Sequence, residues 1–221
     1  LNIIKTHGPI GRAEVARRSG LSPATVTGIT ADLISEDLVF EKEAGDSSGG
    51  RRPILLAINP TGGCVVGIKL TETQLIGALT DLEASVISTH ARPLSTRSID
   101  KSIDQLAQVV HNLVHASGFP KNKLLGVGIG LAGTVDAENG VLRQSPYLGW
   151  RDLPIRQLLR AKVRVPVYVD NDVNTLTLAE KWFGAGQGLD HFLTVTVGRG
   201  VGLGIVVNGQ FYRGAGGGAG E

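Results

Sequence analysis

The sequence predicts an α/β domain preceded by a small winged helix-turn-helix domain. Two short helical patterns joined by a glycine-containing turn occupy residues 12–34, and two strand-like runs follow over 38–58. Beyond them, apolar strand-like runs alternate with helical patterns, which is typical of an α/β fold. Asn59-Pro60 separates the two parts. We therefore expect one domain at 1–60 and the other at 61–221.

The composition indicates an ordinary globular chain. Of its 221 residues, 42% are hydrophobic and 19% are charged, and the net charge is +2. Any nucleic-acid surface must therefore be local, because the chain as a whole is not strongly basic. The sequence has no apolar run of membrane-spanning length, no secretory signal pattern and a single cysteine, so we expect a cytoplasmic protein without membrane insertion. The absence of Met indicates a processed chain or part of a longer one.

The first domain carries clear helix boundaries. A helix is predicted from Arg12 to Arg18, ended by Ser19-Gly20, after which Leu21 should pack inward. A second helix begins at Ser22-Pro23, with Ser22 as the N-cap and proline at the first helical position, where its missing N–H is not needed. Helical spacing predicts that its buried face consists of Val26, Ile29, Leu33 and Ile34.

The opposite face of the second helix is small and hydroxylic, which suits contacts with base edges and phosphates. The strand-like runs "LVFEKE" and "PILLAI" flank the loop "AGDSSGGRR", which predicts a β-hairpin wing whose paired arginines reach phosphates or a minor groove. The residues expected to contact DNA are Arg12, Ser22, Pro23, Ala24, Thr25, Thr27, Gly28, Arg51 and Arg52. The alternative is a helical hairpin that serves as an interaction module.

The second domain has a more varied pattern. Strands are predicted at Cys64–Leu70, Gln74–Thr80 and Val86–His90, with a glycine-rich strand at 124–133 and a short one at 167–170. Helices are predicted at 101–116, 154–160 and 173–183, and a turn region at 134–150. The helix at 101–116 should bury one apolar face, made of Ile103, Leu106, Val109, Val110, Leu113 and Val114.

The stretch "TVTVGRGVGLGIVVNG" at 194–209 places four alternating glycines between two strand-like runs. A strand, a glycine loop and a second strand commonly hold a phosphate, because glycines let backbone N–H groups approach an anion. Arg199 inside the loop has two interpretations: it binds a phosphate directly, or it fills the space of a nucleotide. A similar hairpin is predicted at 64–87, but its turn near 68–72 has no glycine pair to approach a phosphate.

Several motifs in this order resemble the ROK family (repressors, open reading frames and kinases), specifically its transcriptional repressors of sugar metabolism. They are "HGPIGRAEVARRSGLSPATVTGITADLI", "GGRRP", "GVGIGLAGTVD", "SPYLGW", "VDNDVNTLTLAE" and "GRGVGLGIVVNGQFYRGAGGGAGE". The resemblance covers the whole chain and implies an actin-like, ribonuclease H-like sugar-kinase fold. Its first lobe would span about 61–189, and 190–221 would start a second lobe that is incomplete.

The resemblance also implies functional residues. The aspartate that takes the proton from the sugar hydroxyl in the family's kinases corresponds to Asp172. Positions that match the family's sugar contacts are Gly133, Asn171, Asp172 and Glu221. Tyr147 stands where many members carry a sugar-binding Asn, and Arg199 replaces a small hydroxyl residue, so Gly198, Arg199 and Gly200 form a degenerate phosphate loop. We therefore expect a sugar-sensing pocket without kinase activity, and no catalytic residue.

A sugar-responsive repressor is thus the leading hypothesis, with a sugar or sugar phosphate as effector and double-stranded operator DNA bound as a homodimer or dimer of dimers. Two alternatives stay open: an active ATP-dependent sugar kinase with a DNA-binding arm, and a regulator that acts through a protein partner. No cofactor is expected. The family's structural zinc is expected only if the chain continues beyond Glu221.

Other residues that carry chemistry have simpler interpretations. His111 and His115 lie four apart on one helix, a spacing that two metal ligands could use, but we expect both to be solvent-exposed. Cys64 should be buried and inert, and Asp136 should be a turn residue. Lys69 is expected on an edge strand, and Asp172 has a second interpretation as the N-cap of the helix that follows it.

Overall fold

The computed structural model describes residues 1–43, 54–95 and 98–220. Its N-terminal part, as described, contains α1 (Asn2–His7), β1 (Ile10–Gly11), α2 (Arg12–Ser19), α3 (Pro23–Ser35), β2 (Val39–Glu43) and β3 (Ile54–Ile58). The three strands form an antiparallel sheet in the order β1-β3-β2. The sequence predicted α2, α3 and the two longer strands, but not α1 or β1.

The ends of α2 and α3 follow the predicted local signals. Gly20 closes α2 in the left-handed conformation, with φ of 69°. Ser22 caps α3, because its Oγ accepts a hydrogen bond from the backbone N–H of Thr25 at 3.1 Å, and Pro23 occupies the first helical position.

The packing of α3 differs from its predicted buried face. Val26 is buried, but Ile29 is 43% exposed, and Thr30 takes the inner position instead. The reason is geometric: Val26 and Thr30, four residues apart, share one side of the helix and leave Ile29 toward its flank. Leu21, predicted to pack inward, is 44% exposed. The core of this part consists of Ile4, Ile10, Val15, Ala16, Val26, Val39, Leu56 and Ile58.

The first lobe of the larger part is built on a five-stranded sheet. Its elements are β4 (Cys64–Leu70), β5 (Gln74–Asp81), β6 (Val86–Pro93), α4 (Ile99–Ser117), β7 (Leu124–Leu131), β8 (Thr134–Asp136), β9 (Val141–Gln144), β10 (Arg151–Leu153), α5 (Ile155–Val163) and β11 (Val167–Asn171). The strand order is β11-β7-β4-β5-β6, in which β4, β7 and β11 are parallel. The predicted strands and helices are confirmed, within a few residues at their ends.

The predicted turn region at 134–150 is wrong. It contains β8 and β9, which pair with β10 in a separate three-stranded antiparallel sheet. Each of these strands has only three or four residues, so the alternation that identifies a strand in a sequence is too short to be seen. Asp136, which ends β8, does serve the turn to β9: it accepts hydrogen bonds from the backbone N–H and side-chain amide of Asn139.

One face of the five-stranded sheet packs against helix α4. Along β4 the side chains alternate, with Cys64 and Ile68 buried and Lys69 exposed. The buried side packs against α4, whose six predicted apolar residues are all at most 5% exposed. Burial raises the pKa of the Cys64 thiol, as expected for an inert core cysteine.

A long helix and a small sheet follow β11 in the chain. α6 (Asp172–Phe183) lies between the five-stranded sheet and an antiparallel sheet of β12 (Phe192–Val197), β13 (Val201–Val207) and β14 (Gln210–Tyr212). Two glycines of β13 let α6 approach closely. A Cβ on Gly204 would lie 1.8 Å from the Thr177 Oγ1, and one on Gly202 would lie 2.6 Å from a Val173 methyl carbon. Half of the alternating glycines therefore serve helix packing rather than a phosphate.

Side-chain contacts join the N-terminal part to the lobes. Lys123 pairs with Asp37 at 2.8 Å, and this ammonium, followed by the Asn59 amide, holds the pKa of the Asp37 carboxyl below its usual range. At a second contact, Lys5 of α1 donates a hydrogen bond to the Leu82 carbonyl oxygen. Among the described helices, none is long and apolar enough to cross a membrane.

Candidate functional site

A cleft of about 1080 Å³ opens between the first lobe and the hairpin of β12 and β13. Its floor is formed by the carboxyl ends of β4, β7 and β11, the end of a parallel sheet where ligands commonly bind. Gly133, Asn171 and Asp172 all line it, so three of the predicted sugar contacts lie together. The fourth, Glu221, lies outside the described residues.

Asn171 is the N-cap of α6, so the interpretation of Asp172 as the cap is wrong. The Asn171 Oδ1 accepts hydrogen bonds from the backbone N–H groups of Val173 at 2.7 Å and Asn174 at 3.2 Å. Its Nδ2 donates to the Gly133 carbonyl oxygen at 3.1 Å. The side chain is thus committed to holding the helix start against the loop of Gly133, and a contact between Asn171 and a sugar stays a prediction.

Gly133 is required by the backbone around it. Its φ of +130° is one that side-chain-bearing residues rarely adopt, and a Cβ would lie 2.2 Å from the Gln144 carbonyl oxygen. The loop therefore passes close to β9 and brings the Gly133 carbonyl within reach of Asn171.

Asp172 is the first residue of α6 and faces the cleft. Its side chain is 23% exposed, and its Oδ2 lies 3.5 Å from the Lys69 ammonium. Lys69 was expected on an edge strand, which is wrong, because β4 is the central strand of the sheet and pairs on both sides. The central position brings a lysine of the first lobe beside the carboxylate that the motif assigns to sugar hydroxyls.

A second acidic position was missed by sequence reasoning. The Asp170 Oδ2 accepts two hydrogen bonds from Arg213, at 2.7 and 3.1 Å, and its Oδ1 accepts from the Asn174 amide at 2.8 Å. Arg213 also lies over the Phe211 ring, 4.8 Å from its centroid. The pair is 43 residues apart in the chain, and the only sequence signal was that both belong to motifs of the family resemblance.

The loop of Gly198, Arg199 and Gly200 is closed on itself. The backbone N–H of Gly198 donates to the Gly200 carbonyl oxygen at 2.9 Å, so this amide points into the loop rather than toward an anion. Arg199 reaches across the cleft, where its guanidinium lies 4.6 Å from the centroid of the Tyr147 ring and pairs with Glu72 in the first hairpin. Both interpretations of Arg199, direct phosphate binding and filling of the nucleotide space, stay predictions.

The turn of the first hairpin is also occupied by its own contacts. The backbone N–H of Thr71 donates to the Gln74 carbonyl oxygen at 2.9 Å, and the backbone N–H of Gln74 donates to the Thr71 Oγ1 at 3.0 Å. These amides are therefore not directed at the cleft. A phosphate approaching from this side would meet Glu72 instead.

The predicted DNA-contacting residues of α3 form one exposed surface. The members that lie there are Ser22, Pro23, Ala24, Thr25, Thr27 and Gly28. The Ser22 and Thr25 hydroxyls are 2.8 Å apart, and the Thr27 Oγ1 donates to the Pro23 carbonyl oxygen. The paired arginines of the loop, Arg51 and Arg52, lie outside the described residues.

The arginines of α2 are held by local carboxylates. Arg12 donates to the Thr30 Oγ1 at 3.0 Å and pairs with Glu41 at 2.7 Å, so it braces α2 against α3 and β2, and its contact with DNA stays a prediction. Hydrogen bonds from Arg17 and then Arg18 lower the pKa of Glu14 to about 2. The open surface of α3 is therefore mainly hydroxylic rather than cationic.

No metal centre emerges from the described ranges. His111 and His115 are both exposed on α4, and no cluster of three or more His, Cys, Asp or Glu side chains occurs among the described residues.

The fold and the cleft define a two-lobed domain of the actin-like sugar-kinase type, represented here in part. Residues 65–221 match the ROK family, and the chain belongs to this family. It is 34% identical over 221 residues to the xylose repressor of Bacillus subtilis (strain 168), covering 100% of this chain and 57% of that protein. The chain thus spans little more than half the length of this relative.

Two solved structures extend the comparison. A ROK family transcriptional regulator, a homolog of the E. coli MLC protein, superimposes with a TM-score of 0.87 and 28% identity, over 100% of this chain and 56% of that one. A ROK family glucokinase from Streptomyces griseus, in complex with glucose and AMPPNP, gives a TM-score of 0.65 and 30% identity. That match covers 72% of this chain and 49% of the glucokinase.

Proposed function

We propose that this chain belongs to a sugar-responsive transcriptional repressor in which a kinase-like domain senses the sugar and does not phosphorylate it. The observation that carries the proposal is that Arg199, in the glycine loop that would hold a phosphate, pairs with Glu72, while Asp172 lies in the cleft beside Lys69. A site for sugar hydroxyls is thus kept without a cradle for a nucleotide.

The N-terminal part is proposed to bind DNA as a winged helix-turn-helix. Helices α2 and α3 are joined by the short turn at Gly20, and the β2–β3 pair would form the wing. Arg51 and Arg52 belong to the sequence that connects these two strands. The exposed hydroxyls of Thr25 and Thr27 lie in the first turns of α3, where such recognition helices contact base edges. We expect a homodimer, because paired recognition helices need two half-sites of a pseudo-palindromic operator.

The cleft is proposed to bind the sugar through its carboxylates. A carboxylate accepts hydrogen bonds from sugar hydroxyls, and Asp172 presents one beside the start of α6. Phosphoryl transfer depends on positioning and on charge stabilisation around the transferred group. The closed loop of Gly198 and the turn at Thr71 offer neither, because their amides bond within their own turns.

Helix α6 gives the proposal a physical route between the two sites. It begins at Asp172 in the cleft and ends at Phe183, where Lys5 of the N-terminal part lies over the ring. A sugar that closes the cleft would move α6, and with it the Phe183 ring that Lys5 of α1 contacts. The operator affinity changes only if the sugar binds the two arrangements with different affinities.

Fluorescence anisotropy tests this proposal. DNA from upstream of the protein's own gene and of neighbouring sugar genes would be titrated across a salt series, with and without a panel of sugars. Xylose comes first, because it is named in the relatives. Steeply salt-dependent binding that one sugar changes supports the proposal. A repressor of this kind acts on DNA in the cytoplasm, and we propose that location for this protein. Weak binding that is indifferent to DNA sequence and to every sugar would contradict it.

A second candidate is an active sugar kinase that carries a DNA-binding arm. The position of Asp172 in the cleft favours it, together with the similarity to the glucokinase. A coupled assay for ATP turnover on the same sugar panel separates the two, because the proposed repressor gives no sugar-dependent turnover. A third, a regulator that acts through a protein partner, would be separated by pull-downs with and without operator DNA.

A further inference from the structure

The charged side chains of the cleft are arranged in pairs. Three cations line the described cleft, and each contacts a carboxylate: Lys69 with Asp172 at 3.5 Å, Arg213 with Asp170 at 2.7 Å, and Arg199 with Glu72. The positive charge of each cation is therefore already balanced within a few ångströms.

Arg199 is held on two sides at once. Its guanidinium lies over the Tyr147 ring, and the carboxylate of Glu72 fixes it from the opposite lobe. Tyr147 is in turn close to the loop, since a Cβ on Gly200 would lie 3.2 Å from its hydroxyl. An anionic ligand that approached Arg199 would also meet the carboxylate of Glu72, whose negative charge would repel it.

Three backbone N–H groups near the cleft, two at the start of α6 and one in the glycine loop, are occupied as well. The start of α6, with its exposed N–H groups and positive dipole end, would otherwise attract an anion. Here the N–H groups of Val173 and Asn174 both donate to the Asn171 Oδ1. The Gly198 amide donates within its own loop.

From these contacts we infer that the effector is an uncharged sugar and not a phosphorylated one. The inference rests on the proposed sugar-sensing function and specifies its ligand class. A neutral polyol needs acceptors and donors but no counter-charge, and Asp172 with its lysine partner supplies both. The pair of Arg199 and Glu72 then acts as the specificity determinant that rejects phosphate esters.

Isothermal titration of the whole chain tests the inference with matched ligands: xylose against xylose 5-phosphate, and glucose against glucose 6-phosphate. One of the two free sugars is expected to bind the wild type, and its affinity should be at least about tenfold higher than that of its phosphate ester. In Glu72→Gln, which removes the opposing charge, the ester should gain at least about threefold in affinity while the free sugar changes by less than about twofold. Glu83→Gln, which alters an exposed carboxylate away from the cleft, is the control.

The possible outcomes distinguish a failure of this inference from a failure of the proposed sugar-sensing function. An ester that binds the wild type as tightly as its free sugar, or more tightly, overturns the inference and leaves sugar sensing intact. If the protein binds no sugar, no ester and no operator DNA, the proposed function fails and the inference fails with it. Because the comparison of free sugar with ester uses the wild type, its result does not depend on the folding of Glu72→Gln.

Discussion

Lys5 of α1 lies over the ring of Phe183, with its Nζ 5.6 Å from the ring centroid. The same ammonium donates a hydrogen bond to the Leu82 carbonyl oxygen in the turn between β5 and β6. One side chain of the N-terminal part therefore contacts both the first lobe and the end of α6. A cavity of about 860 Å³ surrounds this contact and includes Trp182.

Lys5→Met is expected to weaken communication between the two sites. It keeps an apolar chain of similar length but loses the cation–π contact and the hydrogen bond. The sugar-induced change in operator affinity should fall at least about threefold, with sugar affinity itself within about twofold of the wild type. Anisotropy and calorimetry measure the two quantities, and Lys101→Met, on the exposed side of α4, is the control. An unchanged sugar response would contradict a role of this contact.

Substitutions of the neighbouring residues Asn171 and Asp172 should have different effects, the first on stability and the second on sugar affinity. Asn171→Ala removes the cap of α6 and should lower the free energy of unfolding by about 1 kcal/mol. Asp172→Asn keeps the shape and should change stability by less than about 1 kcal/mol, yet lower sugar affinity about tenfold by removing a charged acceptor. Urea unfolding and calorimetry measure both. Equal sugar affinity in Asp172→Asn and the wild type would remove Asp172 from the binding site.

Gly204→Ala should destabilise the protein through overpacking. The added Cβ would lie 1.8 Å from the Thr177 Oγ1, and Thr177 is fully buried, so α6 and β13 must separate. We expect a loss of about 1–3 kcal/mol in the free energy of unfolding. Gly128→Ala is the matched control within a strand, because nothing lies within 4 Å of its Cβ. A similar small effect of both substitutions would mean that β13 and α6 are less closely packed.

Asp136 predicts a pH dependence of stability. Hydrogen bonds from Asn139 first, then from Arg143, lower the pKa of the folded Asp136 to about 2 from an ordinary 3.8. Because the folded value is lower, the stabilisation is present above pH 3.8 and is lost as the pH falls from 3.8 to about 2. In urea unfolding at a series of pH values, Asp136→Asn should be less stable than the wild type at pH 7, with the difference shrinking across this window. A constant difference would contradict the assignment.

Two substitutions in the N-terminal part should affect DNA binding differently. Thr25→Ala should change sequence preference, because its hydroxyl is exposed while its backbone N–H still bonds the Ser22 cap. Arg51→Ala should weaken binding to all sequences alike and reduce the salt slope by about 1. Anisotropy with operator and scrambled DNA distinguishes the two effects. Ser35→Ala, at the other end of α3, is the control, and unchanged binding in both test variants would exclude this surface.

Prediction from sequence worked best where the cause is local. The α3 cap and the six buried residues of α4 follow from side-chain chemistry and spacing within one element. It failed for β8 to β10, which are too short for a visible alternation, and for Ile29, because helical spacing alone does not decide which flank of α3 faces the core. The sequence-based prediction also placed Lys69 on an edge strand, because the sequence of one strand does not determine its position in the sheet.

The sequence by itself determined most of the longer elements, their boundary signals and the motifs whose family resemblance predicts sugar contacts at Gly133, Asn171 and Asp172. Only the tertiary structure decided how the charges are used. The pairs of Arg199 with Glu72 and of Arg213 with Asp170 join residues 127 and 43 positions apart, and such contacts depend on which strands and loops are brought to one cleft. Local patterns specify local conformation. Arg199 in the glycine loop contacts Glu72 only because the fold brings the two hairpins to the same cleft.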